Sequence, residues 1–366
     1  MNATRERVEA AVKDVAEGKL IVVVDDDDRE NEGDLIMAAS LATPEQVAFM
    51  IRHTSGILCT PVTPEEARRL RLDPMVAMND ALQGTAFTVS VDYRFGLTTG
   101  ISAEERCNTV RALANANAGP EDFVRPGHIF PLIAREGGVL MRSGHTEAGV
   151  DLARLAKLPP IGLLAELVND DGTVKRGQEV VDFAAAHDLK TISVADLIAY
   201  RQLREQLVRR VAEFSVETPI GAVQGLAYAT DFDEVQHLVL VYGTIGEGRD
   251  VLTRLHRENV LADVFGDKNA LATSLERFKA EGGGVLIYLR EGSTGVPSAG
   301  LVGSVGDTGG RSAKEKERAE QWREIGMGAQ IIRDLGISSI RLLATRERQY
   351  IGLAGFGIEI SETVLI

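Results

Sequence analysis

The chain is poor in cysteine: its 366 residues include two, Cys59 and Cys107, far apart in sequence. That excludes a disulfide framework and a thiolate-rich zinc site, and it suits a reducing cytosol. Long apolar runs are also missing. No uninterrupted stretch approaches the ~20 residues that a membrane helix needs. The opening MNATRERVEAAVKDV lacks the apolar core of a secretion signal. Positive charge is in deficit, with 40 Lys and Arg against 54 Asp and Glu, a formal net charge of -14 and a pI near 5.0. Such a surface repels nucleic acid and anionic membrane, so neither is expected as a partner. A small anionic substrate can bind only where a local cationic pocket overcomes that field. The expectation is a soluble, cytoplasmic protein. Its apolar fraction of 44% and charged fraction of 26% allow a sizeable core, and its length predicts two domains.

Val8, Ala11, Val12 and Val15 fall at helical spacing and predict an opening amphipathic helix. Leu20 to Val24 reads as a buried strand that empties into the acidic stretch 25–34. Thr43-Pro44-Glu45-Gln46 and Thr63-Pro64-Glu65-Glu66 each combine a capping threonine, a proline at the first helical position and an acid or amide at the third. Phe87, Val89 and Val91 alternate as in a half-buried strand, and Ser102 reads as the cap of a helix through Asn115. Arg125 to His128 predicts a turn into a strand over Ile129 to Ala134, Gly144-His145-Thr146 opens a helix through Ala156, and Ile161 to Val168 is a strand. A long helix, about Val194 to Val211, closes this half. Strands at Ala222 to Tyr228, Gln236 to Tyr242 and Val285 to Leu289 follow, then a glycine-rich stretch from Gly292 to Gly310. A helix to about Leu335 and a strand at Ile340 to Leu343 come last. The texture changes near residue 210, which predicts domains over 1–208 and 209–366, both mixed α/β (α+β).

Three segments of the first half place charged groups on glycine-punctuated backbone between apolar strands. Asp25-Asp26-Asp27-Asp28-Arg29-Glu30-Asn31-Glu32-Gly33-Asp34 is either a solvated acidic loop or, if extended, a row with Glu30, Glu32 and Asp34 facing one way. In Arg125-Pro126-Gly127-His128-Ile129-Phe130-Pro131-Leu132 the prolines and glycine fix the backbone of His128, as an acid–base group requires. Its bland alternative is a surface histidine. In Arg142-Ser143-Gly144-His145-Thr146-Glu147-Ala148 an arginine, a threonine and a helix N-terminus converge in a way that suits an oxyanion such as phosphate. There His145 is a nitrogen ligand or a helix-cap residue.

Together with Thr99-Gly100-Ile101-Ser102-Ala103, these segments resemble 3,4-dihydroxy-2-butanone 4-phosphate synthase, in the family's order and over most of residues 5 to 205. The resemblance implies conversion of ribulose 5-phosphate to 3,4-dihydroxy-2-butanone 4-phosphate and formate, on the route to riboflavin. It implies Mg²⁺ or Mn²⁺ held by Glu30 and His145, with substrate and water completing the shell. It gives His128 and Glu166 the acid–base roles and makes Asp34 a second base candidate. Arg29, Arg142, Gly144 and Thr146 become substrate contacts, joined by Glu30, Asp34, His145 and Glu166, with Thr109 at the phosphate end. It also implies a homodimer with sites at the subunit interface. Glu166 lies in Gly162-Leu163-Leu164-Ala165-Glu166-Leu167, where desolvation would raise its proton affinity. Cys59 either lines this site or is a small core residue.

Residues from about 215 onward resemble GTP cyclohydrolase II through Asp263-Val264-Phe265-Gly266, Gly284 to Arg290, Gly328 to Ile332 and Ile340 to Leu343. That family holds a zinc ion on three cysteines. Aligned on Asp263 to Gly266, those positions are Asn259, Ala270 and Ala272, so no zinc is expected. The family's acid-x-arginine pair reads Gln321-Trp322-Arg323, its phosphate motif reads Gly292-Ser293-Thr294-Gly295, and its lysine-bearing loop has become 344–349. The expectation is a monofunctional synthase whose second half is a docking, dimerisation or regulatory module. The competing readings are a bifunctional enzyme with another metal arrangement, and a non-catalytic scaffold.

Overall fold

The computed structural model describes residues 2–25, 31–81, 84–230, 235–266, 270–290, 326–345 and 356–366, which divide into two compact units after Arg201. The first unit runs α1 (Asn2–Ala16), β1 (Ile21–Val24), β2 (Gly33–Ala38), α2 (Pro44–His53), β3 (Cys59–Val62), α3 (Pro64–Arg69) and β4 (Val91–Tyr93). It continues through α4 (Ala103–Leu113), β5 (Phe123–Ile133), α5 (His145–Leu155), β6 (Gly162–Glu166), α6 (Gln178–Ala186) and β7 (Thr191–Ser193) to α7 (Val194–Arg204), which crosses the division. Its strands form one mixed sheet in the order β4-β5-β3-β6-β2-β1-β7.

Helices cover both faces of this sheet. Val8, Ala11 and Val15 of α1 are fully buried, as their spacing predicts. On one face Leu35, Met37, Leu163 and Ala165 join a core with Val47 and Met50 of α2, Val110 and Leu113 of α4 and Val180 of α6. Because strand side chains alternate, Asp34, Ile36, Leu164 and Glu166 turn to the other face. There α5 packs against β2, β3 and β6, and Gly149 of α5 approaches Leu164.

The threonine caps form as the sequence predicts. Thr43 and Gln46 make a reciprocal capping box, Thr63 Oγ1 accepts from Glu66 N at 3.2 Å, and Ser102 Oγ accepts from Glu105 N at 3.2 Å. Two strand expectations of the first half fail. Phe87 and Thr88 make only isolated bridges, so the strand there is confined to Val91–Tyr93. Residues 125–128, read as a turn before a strand, lie within β5. The β4–β5 ladder nonetheless steps from Val91↔Ile129 to Asp92↔Val124, leaving 125–128 as an excursion from it.

In the second unit β8 (Arg209–Thr218), β9 (Gly221–Ala229), β10 (Gln236–Tyr242), β11 (Val251–Arg257), α8 (Val260–Phe265), α9 (Ala270–Glu281) and β12 (Gly284–Leu289) precede a helix over 326–334. Then come β13 (Ser339–Ala344) and β14 (Glu359–Leu365), and the sheet order is β14-β13-β11-β12-β10-β9-β8. The long helix expected to Val211 ends at Arg204, because the segment from Arg209 pairs with β9 along its whole length. Ile220, Leu240, Leu252, Phe278 and Leu286 form the local core. The glycine-rich stretch Gly292 to Gly310 lies outside the described residues.

Candidate active site

Asp34 and Glu166 are direct partners across β2 and β6, on the face covered by α5. Side chains so paired hold their Cβ atoms ~5 Å apart. Asp34 is 2% exposed, and its Oδ1 stands 3.6 Å from Nδ1 of His145, the first residue of α5. Glu166 ends its strand half-buried. Its Oε2 accepts from Ser55 Oγ at 2.8 Å, and its carbonyl accepts from Ser55 N. The apolar enclosure expected around Glu166 is thus open on the Ser55 side, because the strand stops there.

Cys59 of β3 pairs with Leu164, two residues before Glu166, and therefore faces the same way. It is buried. Burial, then the negative charges of Glu166 and Asp34, raise its thiol well above the ordinary range, so it remains a neutral thiol.

The phosphate-binding candidates gather at the start of α5. Gly144 is its N-cap, Thr146 is buried in its first turn, and the helix directs backbone N–H groups outward there. Arg142 Nη1 donates to Glu147 Oε2 at 2.7 Å and Nη2 to Thr85 Oγ1 at 3.2 Å.

His128 belongs to a second constellation. Its Nδ1 lies 2.7 Å from Asp92 Oδ2, and its backbone N–H donates to Asp92 Oδ1 at 2.8 Å. Gly100 closes over the pair: a Cβ there would sit 2.2 Å from Asp92 Oδ2 and 2.6 Å from His128 Nδ1. His128 is on β5, two strands from β6, with its side chain 40% exposed.

Thr109, expected at the phosphate end, lies in α4. Its hydroxyl donates to Glu105 O at 3.0 Å and accepts from Tyr93 N at 2.9 Å, and the residue is buried. The hydroxyl is thus engaged within the fold, joining α4 to β4. Arg29 and Glu30 lie outside the described residues. Their neighbour Glu32 is held by Arg176 at 2.6 Å.

Sequence reasoning overlooked Asp92, Ser55 and Glu147. Glu147 stood inside a quoted motif, but nothing in its spacing showed that its carboxylate turns back onto Arg142. Asp92 and Ser55 are brought to His128 and Glu166 by sheet pairing, which leaves no local signal.

In the second unit, the three positions that would carry zinc ligands have other uses. Asn259 caps α8 by accepting from Ala262 N at 3.1 Å, while Ala270 and Ala272 lie in α9. Asp263 ties β11, α8 and β12 together: its Oδ1 lies 2.8 Å from His256 Nε2, and its Oδ2 accepts from Tyr288 Oη at 2.8 Å and Asn259 N at 2.9 Å.

The fold is a mixed sheet that sets a paired Asp and Glu beside a histidine and an arginine-flanked helix start, and comparison with known proteins gives the family. The family model for 3,4-dihydroxy-2-butanone 4-phosphate synthase matches residues 9–200, and that for GTP cyclohydrolase II matches 209–365. A curated relative from Arabidopsis thaliana, a chloroplastic bifunctional riboflavin biosynthesis protein, is 46% identical over 96% of this chain and 67% of its own length. The solved structure of RibBX from A. baumannii, described as a two-domain 3,4-dihydroxy-2-butanone 4-phosphate synthase, has a TM-score of 0.82 at 36% identity and covers 98% of both chains. A synthase solved in complex with two magnesium ions has a TM-score of 0.52 at 44% identity, covering 53% of this chain and 96% of that one. The chain belongs to the 3,4-dihydroxy-2-butanone 4-phosphate synthase family, enzymes of riboflavin biosynthesis.

Proposed function

We propose that residues 1–208 convert D-ribulose 5-phosphate to 3,4-dihydroxy-2-butanone 4-phosphate and formate, and that 209–366 carry no GTP cyclohydrolase activity. The observation that carries the first part is the Asp34–Glu166 pair with His145 3.6 Å from Asp34. The reaction runs through enolisation, dehydration, a one-carbon shift and loss of formate, so protons must be taken and returned repeatedly. We assign this work to Glu166 and to His128, which Asp92 orients, with Asp34 beside Glu166 as a second base candidate.

The oxygen and nitrogen donors around Asp34 and His145 fit a hard divalent cation, Mg²⁺ or Mn²⁺, which Glu30 and His145 would hold. Such a cation lowers the cost of the enediolate and alkoxide charge that the reaction develops. Arg142, Gly144 and Thr146 bind the phosphate end at the start of α5, and Arg29 is a further substrate contact. We further propose a cytoplasmic homodimer. The distance of His128 from the Asp34–Glu166 pair, two strands away, supports a site shared between subunits. Among the described residues no helix is long and apolar enough to cross a membrane.

The test is formate release from ribulose 5-phosphate with magnesium, beside an EDTA control and a parallel GTP incubation. Metal-dependent formate from ribulose 5-phosphate alone is the expected result. Formate from GTP as well would favour the bifunctional reading, and none from either substrate would favour the scaffold.

A further inference from the structure

Helix α5 carries two acidic residues one turn apart, Glu147 and Asp151, both 1% exposed. Burying a carboxylate is costly unless charge and hydrogen bonds compensate it, so two on one helix call for an account of what they hold. Both hold the same piece of chain, the segment 135–142 that precedes the helix. Glu147 Oε1 accepts from Arg135 N at 2.9 Å, and its Oε2 takes the Arg142 guanidinium at 2.7 Å. Asp151 Oδ2 accepts from Val139 N at 2.8 Å and from Arg201 Nη1 at 2.7 Å, and the same Arg201 nitrogen donates to Gly137 O at 2.8 Å.

Each carboxylate is admitted by a glycine. A Cβ on Gly144 would lie 2.5 Å from Arg142 Nη1 and 2.9 Å from Glu147 Oε2. A Cβ on Gly138, where φ is +64°, would lie 2.2 Å from Asp151 Oδ1. The segment is therefore held at both ends and in the middle, with Gly138 where its backbone crosses Asp151 and Gly144 just beyond it beside the Arg142–Glu147 pair. What the clamp presents is Arg142, the cation beside the N-terminus of α5.

We infer that Glu147 is a positioning residue for Arg142 in sugar-phosphate binding, and that the Asp151–Arg201 pair fixes the turn that delivers Arg142 to it. This rests on the synthase reading for the identity of the anion. An arginine aimed in advance loses less conformational freedom when it grips an oxyanion, so its affinity for the phosphate group rises. Glu147 stands behind the arginine and acts only through it. The interaction is present before substrate arrives, so it contributes to binding more than to the chemical step.

The test is a double-mutant cycle on the full chain with Glu147→Gln, Arg142→Ala and both together, reading kcat, KM and the Kd for ribulose 5-phosphate by titration calorimetry. Glutamine keeps an acceptor for Arg135 N but presents an amide and no charge to the guanidinium. A hydrogen bond to a charged group corresponds to a loss of about 10- to 100-fold. Glu147→Gln is thus expected to raise KM and Kd by that factor with a far smaller change in kcat. On the Arg142→Ala background the same substitution should add less than about twofold. Equal losses on both backgrounds, or a loss confined to kcat, would overturn the proposal.

If Glu147→Gln does not fold, Glu147→Asp keeps the charge, shortens its reach and enters the same cycle. Wild-type formate release reports separately on the synthase reading. Should it be absent, the cycle is run on inorganic phosphate, and failure of the wild type to bind phosphate overturns the positioning role too.

Discussion

Asp92 grips His128 twice, once at the ring and once at the backbone, and so fixes which nitrogen of the imidazole is turned to solvent. A carboxylate is the only common side chain that can accept at both points without offering a proton. Asp92→Asn replaces one acceptor with a donor and leaves the ring in competition for its orientation. General acid–base groups contribute about 10²- to 10⁴-fold, so a roughly 10²-fold fall in kcat is expected, with a much smaller change in KM. Steady-state formate release measures it, and an unchanged kcat would remove Asp92 from the catalytic apparatus. Gly100 supports the same geometry, since any side chain there meets both members of the pair. None of this was visible in the sequence, where His128 was recognised from its own neighbours. Arg142, Gly144, His145 and Thr146 were legible because one motif holds them together on one helix start. Asp34 and Glu166 were legible only as members of separate motifs. Their adjacency depends on the β2–β6 register, which no local pattern encodes.

At the scale of elements, capping chemistry was the most readable signal. Thr43, Thr63 and Ser102 begin α2, α3 and α4 as expected, because their hydroxyls meet backbone donors three residues on. Edges decided by tertiary pairing were not readable. The residues beyond Arg204 continue a helical pattern, yet β9 draws the segment from Arg209 into the sheet, and β14 is an exposed parallel partner of β13 with no alternation to betray it. Helix α5 carries the element-scale prediction. Burial pushes the Asp151 carboxyl up to about 6, although Arg201 pulls in the other direction. The folded value thus lies above that of an unfolded aspartate, roughly 4. The proton bound in the fold stabilises it fully below that lower value, and this contribution is lost as pH rises through about 6. Asp151→Asn has no proton to lose. Urea midpoints for the variant are expected to be flatter between pH 4 and 6 than those of the wild type, whatever their absolute level. Parallel pH profiles would show that another group governs that window.

At the scale of the whole molecule, each of the two units is built on a seven-stranded sheet, and the two carry different side-chain sets. The first brings Asp34, Glu166 and His145 to one sheet face, with Arg142 and Thr146 at the start of α5 and His128 apart on β5. The second keeps the apolar pattern of strands and the helix-packing residue Phe278, which is 1% exposed. It has no cysteine at all, since Cys59 and Cys107 both lie in the first unit. Asp263 spans the elements around the three aligned positions by joining His256, Tyr288 and Asn259 across β11, β12 and α8. Asn259, which aligns with one of the family's thiolate positions, caps a helix with its side-chain amide. A bifunctional relative such as the Arabidopsis protein matches both halves of this chain, so likeness alone does not decide the matter. The proposal of an inactive second half rests on the donor set: asparagine and two alanines offer no anionic ligand, and a catalytic zinc needs three protein ligands with one open position. The purified protein is therefore expected to hold no stoichiometric zinc by elemental analysis. It should also release no formate from GTP when zinc is supplied, while formate from ribulose 5-phosphate proceeds with magnesium. Tightly bound zinc at one per chain, or GTP turnover that zinc restores, would mean that the second unit builds its metal site from residues outside the family's three positions.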